Sequence, residues 1–453
     1  MLVRFSKYLG VVTLSAVLST ILLPTAVAQQ AAGQAAQATP APGSKQVKDK
    51  GEYDLFQAVT TEQSPQKRLD LLNQWTQKYA DTDFKKERLL FYLTTYQQLN
   101  KPADMIDTAN KILAIDPKDM TALYWLTTLS LSSGSQGDSS PANLDRAEKA
   151  AQGMLANLDD TFSDAKKPAN ADAAAWAKAK TGMAAIAHKG LGWVAMVRKN
   201  AEPAVNEFKQ SLAADPNQGE VLYWLGTTLY GTKDEAKIPE GLFYYARAQQ
   251  YDGPGALAPA GRTQIDGFLT RAYKGYHGST EGLDQLKALA KANPTPPPDF
   301  KIKSVKEIAQ EQVAKENAEA AADPAGVMWK RIKAELVGAN AETYFNGTLK
   351  DAGLPELKGK VVSATPAAKP TTIVLAMSDD STPEVTLKLA EGTAMAGKAE
   401  PGTPITFTGA VPKSFTPNPL MVTMEVEKAN IKGWPAPAAP APRPRPAGAR
   451  KKK

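Results

Sequence analysis

The sequence predicts a mainly α protein, a long solenoid of antiparallel helix pairs followed by a small five-stranded β-barrel-like domain. Three observations lead there. Small and large apolar residues recur at fixed spacing through Ala185–Tyr251. A Leu-Tyr-Trp-Leu segment appears twice, at Leu123–Leu126 and Leu222–Leu225, each time behind an Asp-Pro pair. Beyond Pro355 the apolar period changes from helical to alternating.

The N-terminus has Arg4 and Lys7, an apolar run from Leu9 to Leu23, then Ala26-Val27-Ala28. A charged start, a short apolar centre and small residues at a cleavage position predict a signal peptide over 1–28. The run is shorter than the ~20 residues of a spanning helix, and Pro24 interrupts it. The mature chain is therefore expected in the periplasm or secreted. The absence of cysteine excludes disulfides, thiolate metal sites, a Cys nucleophile and a lipid-anchored N-terminus. Residues 29–50, rich in Ala, Gln and Pro, are expected to form a disordered linker.

The solenoid is expected over 51–298. Its first helix pair is marked by Leu55, Phe56 and Val59, then Leu69, Leu72, Trp75 and Tyr79. The second runs from Lys86 to Pro117, with Leu89, Tyr92, Leu93 and Tyr96 facing Met105, Ala109 and Ile112. The third begins at Leu123 and reaches Leu155 after a Ser- and Gly-rich loop, Ser132–Asn143. A polar connection, Thr161–Ala171, leads into one long Ala-rich helix, Asp172–Arg198. There Leu191, Gly192, Ala204, Phe208 and Pro216 place two helices in close contact. Pro216 cannot continue a helix and biases Asp215 away from helical geometry. Leu222, Leu225, Gly226, Gly241, Tyr245 and Ala248 repeat the pattern after an insertion at Lys233–Pro239. A last pair, Pro259–Pro294, ends at a Pro-rich run.

These spacings resemble the tetratricopeptide (TPR) repeat, which is about 34 residues long. The offset from Asp116 to Asp215, 99 residues, is close to three such repeats. The resemblance covers most of Lys86–Pro294. It implies a superhelix whose concave face, lined by the first helix of each pair, holds a protein or peptide. On that register the groove is expected to include Leu90, Thr94, Tyr124, Thr128, Lys189, Trp193, Tyr223, Thr227 and Tyr230. The TPR clamp for a C-terminal carboxylate uses Lys, Asn and Arg at such positions. Only Lys189 fits, so that ligand class is not carried over.

A helical connector is expected over 299–353. Its first helix, Ile302–Ala322, carries a thin apolar stripe (Ile302, Val305, Ile308, Val313) that would lean on the solenoid end. Helices at Ala325–Val337 and Ala341–Ala352 follow. The β domain is expected over 354–434, with strands at Lys360–Ala364, Thr371–Met377, Glu384–Leu389, Pro404–Val411 and Leu420–Lys428. Five short strands in this spacing resemble the OB-type barrels of bacterial envelope proteins. Residues 435–453 are expected to be a disordered, basic Pro/Ala-rich tail.

The net charge of +7 is concentrated at the ends. Arg4 and Lys7 leave with the signal, and Arg443, Arg445, Arg450 and Lys451 to Lys453 lie in the tail, which leaves the body near −1. An alternative reading makes this an envelope attachment protein, with the β domain and tail binding cell wall or anionic membrane. Nucleic acid is not an expected partner, because the second and third strands lack stacking aromatics and carry Lys388 alone as a base. No enzyme activity, cofactor or metal is expected. His188 and His277 read as a packing residue and a helix-end residue, without partners at metal-ligand spacing.

Overall fold

The computed structural model describes residues 45–437. The expected signal peptide, most of the linker and residues 438–453 of the tail lie outside them. The chain divides into two compact units, up to Val305 and from Lys306 onward.

Among the described residues the first unit has six helix pairs. They are α1 (Lys50–Thr61) with α2 (Pro65–Lys78), α3 (Lys85–Gln98) with α4 (Pro102–Ile115), and α5 (Met120–Ser135) with α6 (Pro141–Thr161). Then come α7 (Ala173–Val197) with α8 (Ala201–Ala214), α9 (Gly219–Gly231) with α10 (Ile238–Gln250), and α11 (Pro259–His277) with α12 (Leu283–Ala292). The last residues of the expected linker are ordered. Asp49 caps α1 by accepting from Glu52 N, Lys45 pairs with Glu87, and Gln46 N donates to Asp83 at 3.1 Å. Pro at the first turn starts α2, α4, α6, α10 and α11, where its missing N–H costs nothing.

The backbone repeats itself as the sequence does. Asn100, Lys199 and Lys233 follow the first helix of their pairs with φ of 52°, 64° and 58°. Lys199 and Lys233 are one repeat length apart. Behind Asn100 and Lys199 the next residue closes the helix with a six-to-one bond, Lys101 N to Tyr96 O and Asn200 N to Ala195 O, both 2.9 Å. The second helices end alike, with Asp116 N on Ile112 O and Asp215 N on Ser211 O.

Glycines set how closely helices approach. A Cβ on Gly192 would sit 2.5 Å from Phe208 Cδ1 across the α7–α8 contact. Gly226 and Gly241 face each other across α9–α10, where a Cβ on Gly226 would meet Gly241 O and Tyr245 N at 3.1 Å. Gly134, read from sequence as part of a loop, instead continues α5 to Ser135. A Cβ there would lie 2.1 Å from the Trp193 ring.

The second unit begins with α13 (Val305–Ala322), α14 (Pro324–Leu336) and the short α15 (Ala341–Tyr344), which runs into a π-helical turn at Phe345–Leu349. No residue of α13 is buried, and Val305, Ile308 and Val313 are 53%, 36% and 56% exposed. Ile302 lies before the helix and joins the core of the first unit.

Seven strands form one sheet: β1 (Leu357–Thr365), β2 (Thr372–Ala376), β3 (Val385–Leu389), β4 (Pro404–Phe407), β5 (Val411–Pro417), β6 (Leu420–Val426) and β7 (Ile431–Lys432). Their order is β5-β6-β3-β2-β1-β4-β7, with β3 and β6 parallel and the other pairs antiparallel. This corrects the expectation of a five-stranded barrel-like domain: the strands number seven among the described residues, and the terminal strands β5 and β7 do not pair. Pro404–Val411 is not one strand because the chain bends at Gly409, with φ of 63°. β5 was unread because Pro412 and Pro417 look like breakers. It pairs on one side only, with β6, and such a strand tolerates proline. Its other side accepts Asp351 N at Pro412 O, while Leu354 N donates to Ala410 O and Gly409 N to Leu354 O.

The core of this unit also reaches outside the expected domain boundary. Trp329, Ile332 and Leu336 of α14, with Phe345 and Leu349, pack with Val361, Ile373, Leu387, Phe407 and Met424 of the sheet. Glu384, 3% exposed, fastens α14 to the sheet. Its carboxylate accepts from Trp329 Nε1 at 3.1 Å, Lys333 Nζ, Ser378 Oγ at 2.9 Å, and the N–H groups of Met377 and Ser378.

Candidate functional site

The nine residues expected to line a groove separate into three groups. Tyr124 and Trp193 are buried, 6% and 4% exposed, which corrects their placement on an accessible wall. Tyr124 packs in a cluster with Phe162, Met183 and Ala187, because α7 is long enough to cover it. Trp193 packs with Leu131, Leu144 and Val194 over Gly134, in the space opened by the extra turn of α5. Thr128, behind Tyr124, spends its hydroxyl on the carbonyls of Tyr124 and Trp125. On α3, Leu90 is half-buried and Thr94 exposed, with the Thr94 hydroxyl donating to Phe91 O.

Lys189 forms the second group. Its Nζ lies 2.6 Å from Glu220 Oε2 and 5.4 Å from the centre of the Trp224 ring. The one lysine at a clamp-like place is thus held between two neighbours on α9, and its charge is matched within the chain.

Tyr223, Thr227 and Tyr230 of α9 form the third group, and these do come together. They stand over Tyr245 of α10, which is buried. Tyr245 is 5.9 Å from Tyr223 and 6.3 Å from Tyr230, ring centre to ring centre. The Tyr245 hydroxyl donates to Thr227 Oγ1 at 3.2 Å, and Thr227 donates in turn to Tyr223 O at 2.8 Å. Phe268 of α11 completes the patch, 5.8 Å from Tyr230 and 4.9 Å from Tyr245. Tyr223, Tyr230 and Phe268 are partly buried and pack against the core of the first unit. Burial pushes the phenols of Tyr223 and, more strongly, Tyr245 above the usual tyrosine range. Both are neutral at physiological pH. The arrangement offers flat, uncharged contact area and no group poised for chemistry.

Phe268 and Tyr245 were missed as site residues, though a signal existed. In four first helices an aromatic precedes a packed leucine: Tyr92-Leu93, Trp125-Leu126, Trp224-Leu225 and Phe268-Leu269. Tyr92 is buried, and the other three are partly buried.

The histidines have partners that no spacing foretold. His188 Nδ1 lies 2.7 Å from Glu207 Oε2, joining α7 to α8. His277 Nδ1 donates to Lys303 O at 2.8 Å, and the ring packs on Tyr273. Its helix is closed by Gly278, at φ 94°, rather than by the imidazole.

No family model and no curated protein matches the chain. Among solved structures the chain is similar to a thermophilic TPR protein of Thermus thermophilus, at 13% identity. That match covers 49% of this chain and 98% of the other, with a TM-score of 0.26.

Proposed function

We propose that the helical unit is a TPR-type scaffold that binds a protein or peptide segment on the wall made by Tyr223, Tyr230 and Phe268. One observation carries this reading: three incompletely buried aromatic residues gather around a buried tyrosine whose hydroxyl is already bonded. Rigid aromatics of this kind give large contact area at low entropy cost. The six helix pairs, the left-handed residues one repeat apart and the Gly192–Phe208 contact support the TPR register. The N-terminal charge and apolar pattern supports export, which puts the scaffold in the periplasm or outside the cell. The parallel β3–β6 pair, with the bonds from Leu354 to the Gly409–Ala410 corner, supports an OB-like reading of the β unit, a partly open five-stranded barrel with added short pieces. The unit is read as non-enzymatic.

A photoreactive amino acid at Tyr223, in cells, tests the scaffold reading. A discrete crosslinked partner is expected, absent when the probe sits at Lys209 and lost when Tyr230→Ala is added. Equal labelling from both positions would refute it. The cations of 443–453 favour a second reading, attachment to an anionic envelope surface at about 1 kcal/mol per cation near a charged membrane. Deleting 443–453 should then abolish salt-sensitive binding to anionic vesicles, and persistence of that binding would refute it.

A further inference from the structure

The sheet of the second unit carries an open cleft of about 330 Å³ between β1, β4, β7 and the turn after β2. Strand register builds its cationic side. Lys358 stands opposite Thr406, and Thr406 opposite Lys432, so the three share one face of the sheet in a single row. Lys360, two residues after Lys358, returns to that face. Neighbouring strands lie about 4.8 Å apart, which puts the Lys358 and Lys432 backbones roughly 10 Å apart with Thr406 between them. All four residues line the cleft.

The opposite wall is fixed from behind. Met377 and Ser378 are held by the buried Glu384 carboxylate, which accepts from both of their N–H groups. A Cβ on Gly359 would lie 2.7 Å from Met377 Sδ, and one on Gly433 would lie 2.7 Å from Pro404 O. Two glycines thus let the walls come this close. Ala376, Met377 and Pro404 supply apolar lining. Three lysines and two aspartates line the cleft, a net charge of +1. Asp379 is turned into its own loop, with Oδ1 accepting from Ser381 N at 2.8 Å and Thr382 N at 2.6 Å. Asp380 pairs with Lys360, and Asp323 pairs with Lys358 at 2.6 Å. Both pairs are exposed to solvent, where such pairs contribute little, so either ammonium can turn to a more strongly charged anion. Lys432 is exposed and has no ion-pair partner among the described residues.

We infer that this cleft binds a phosphoryl group carried on a small apolar body, an organic phosphomonoester. Lys358, Lys360 and Lys432 surround the phosphoryl oxygens, the Thr406 hydroxyl donates between them, and the body lies on Met377 and Pro404. No arginine is among the lining residues, which favours phosphoryl over carboxylate. The planar fork of arginine matches a carboxylate, whereas ammonium groups act as point charges and gather round a compact, multiply charged anion. The site needs neither the tyrosine wall of the first unit nor the cations of 443–453.

The test uses the full chain and three probes, phenyl phosphate, inorganic phosphate and benzoate, in isothermal titration calorimetry. Phenyl phosphate is expected to bind about tenfold more tightly than benzoate, for its second charge, and about tenfold more tightly than inorganic phosphate, for its ring. Lys358→Gln with Lys432→Gln should weaken it by about tenfold or more. Both side chains are exposed, so an unchanged melting curve separates this from misfolding. Bound phenyl phosphate should also shield Lys358, Lys360 and Lys432 from an amine-acylating reagent, read by peptide mass spectrometry, and leave Lys209 labelled as before. Deleting 443–453 should change none of this. Equal binding of benzoate would overturn the phosphoryl assignment, and equal binding of inorganic phosphate would overturn the apolar body. Absence of binding, uniform shielding of lysines, loss of binding with the tail, or no effect of the double substitution would overturn the site itself.

Discussion

A methyl group at position 192 has nowhere to go. The Phe208 ring occupies that space, is itself fully buried, and is wedged against Trp224. Gly192→Ala should cost about 1–3 kcal/mol by overpacking, and Gly192→Leu more, measured as a loss in urea midpoint with unchanged slope. This contact was legible in the sequence because a small residue and a large one recur at fixed offsets. The two sides of a tyrosine were not. Tyr124 and Tyr223 hold equivalent places in the duplicated segment, yet one is interior and the other half-exposed. Spacing gives a residue's face on its own helix. Whether that face is covered depends on neighbouring helix length, here the 25 residues of α7. Tyr124→Ala should therefore cost ~3–5 kcal/mol in thermal or urea unfolding. Tyr230→Ala should cost clearly less, its ring being partly solvated already. Equal losses would mean that the α9 wall is core.

At the scale of elements, the Glu384 carboxylate ties α14 to the sheet beside their shared apolar core. Burial alone would push Glu384 up, but the bonds from Lys333, Ser378 and Trp329 outweigh it and hold the group below its ordinary value of 4.5. A carboxyl depressed in the folded state contributes stability that is present above its unfolded value. It is lost as pH falls from about 4.5 through the folded value. Acid unfolding of the β unit, followed by near-ultraviolet circular dichroism, should begin in that range. Glu384→Gln should be less stable at pH 7 and should flatten the acid limb. None of this network could be read in advance, because Trp329, Lys333 and Glu384 lie on separate elements. The strands around it were mostly legible from alternation. The exceptions, β5 with its two prolines and the two-residue β7, lie at the sheet's ends, where the patterns of interior strands do not hold.

At the scale of the molecule, pattern change located the β unit but not its full extent. Trp329, Ile332 and Leu336 sit on a helix whose period gave no sign that it belongs to a sheet's core. A fragment of residues 355–437 would leave Val361, Leu387 and their neighbours without that cover and Glu384 without Trp329 and Lys333. Residues 323–437 should melt in one cooperative transition, while 355–437 should show a broad, low-temperature transition and bind a hydrophobic dye. A sharp melt of the shorter fragment would show that α14 is dispensable.

The bond from Tyr245 to Thr227 has a kinetic consequence. It fixes the floor under Tyr223 and Tyr230 before anything arrives. A ligand meeting that wall has little side-chain freedom to remove and no closing motion to await, so encounter alone should set its arrival rate. Tyr245→Phe keeps the ring and deletes the bond. In stopped-flow mixing with the partner captured through position 223 it should leave the association rate nearly unchanged and shorten the residence time, since rings free to tilt release their guest sooner.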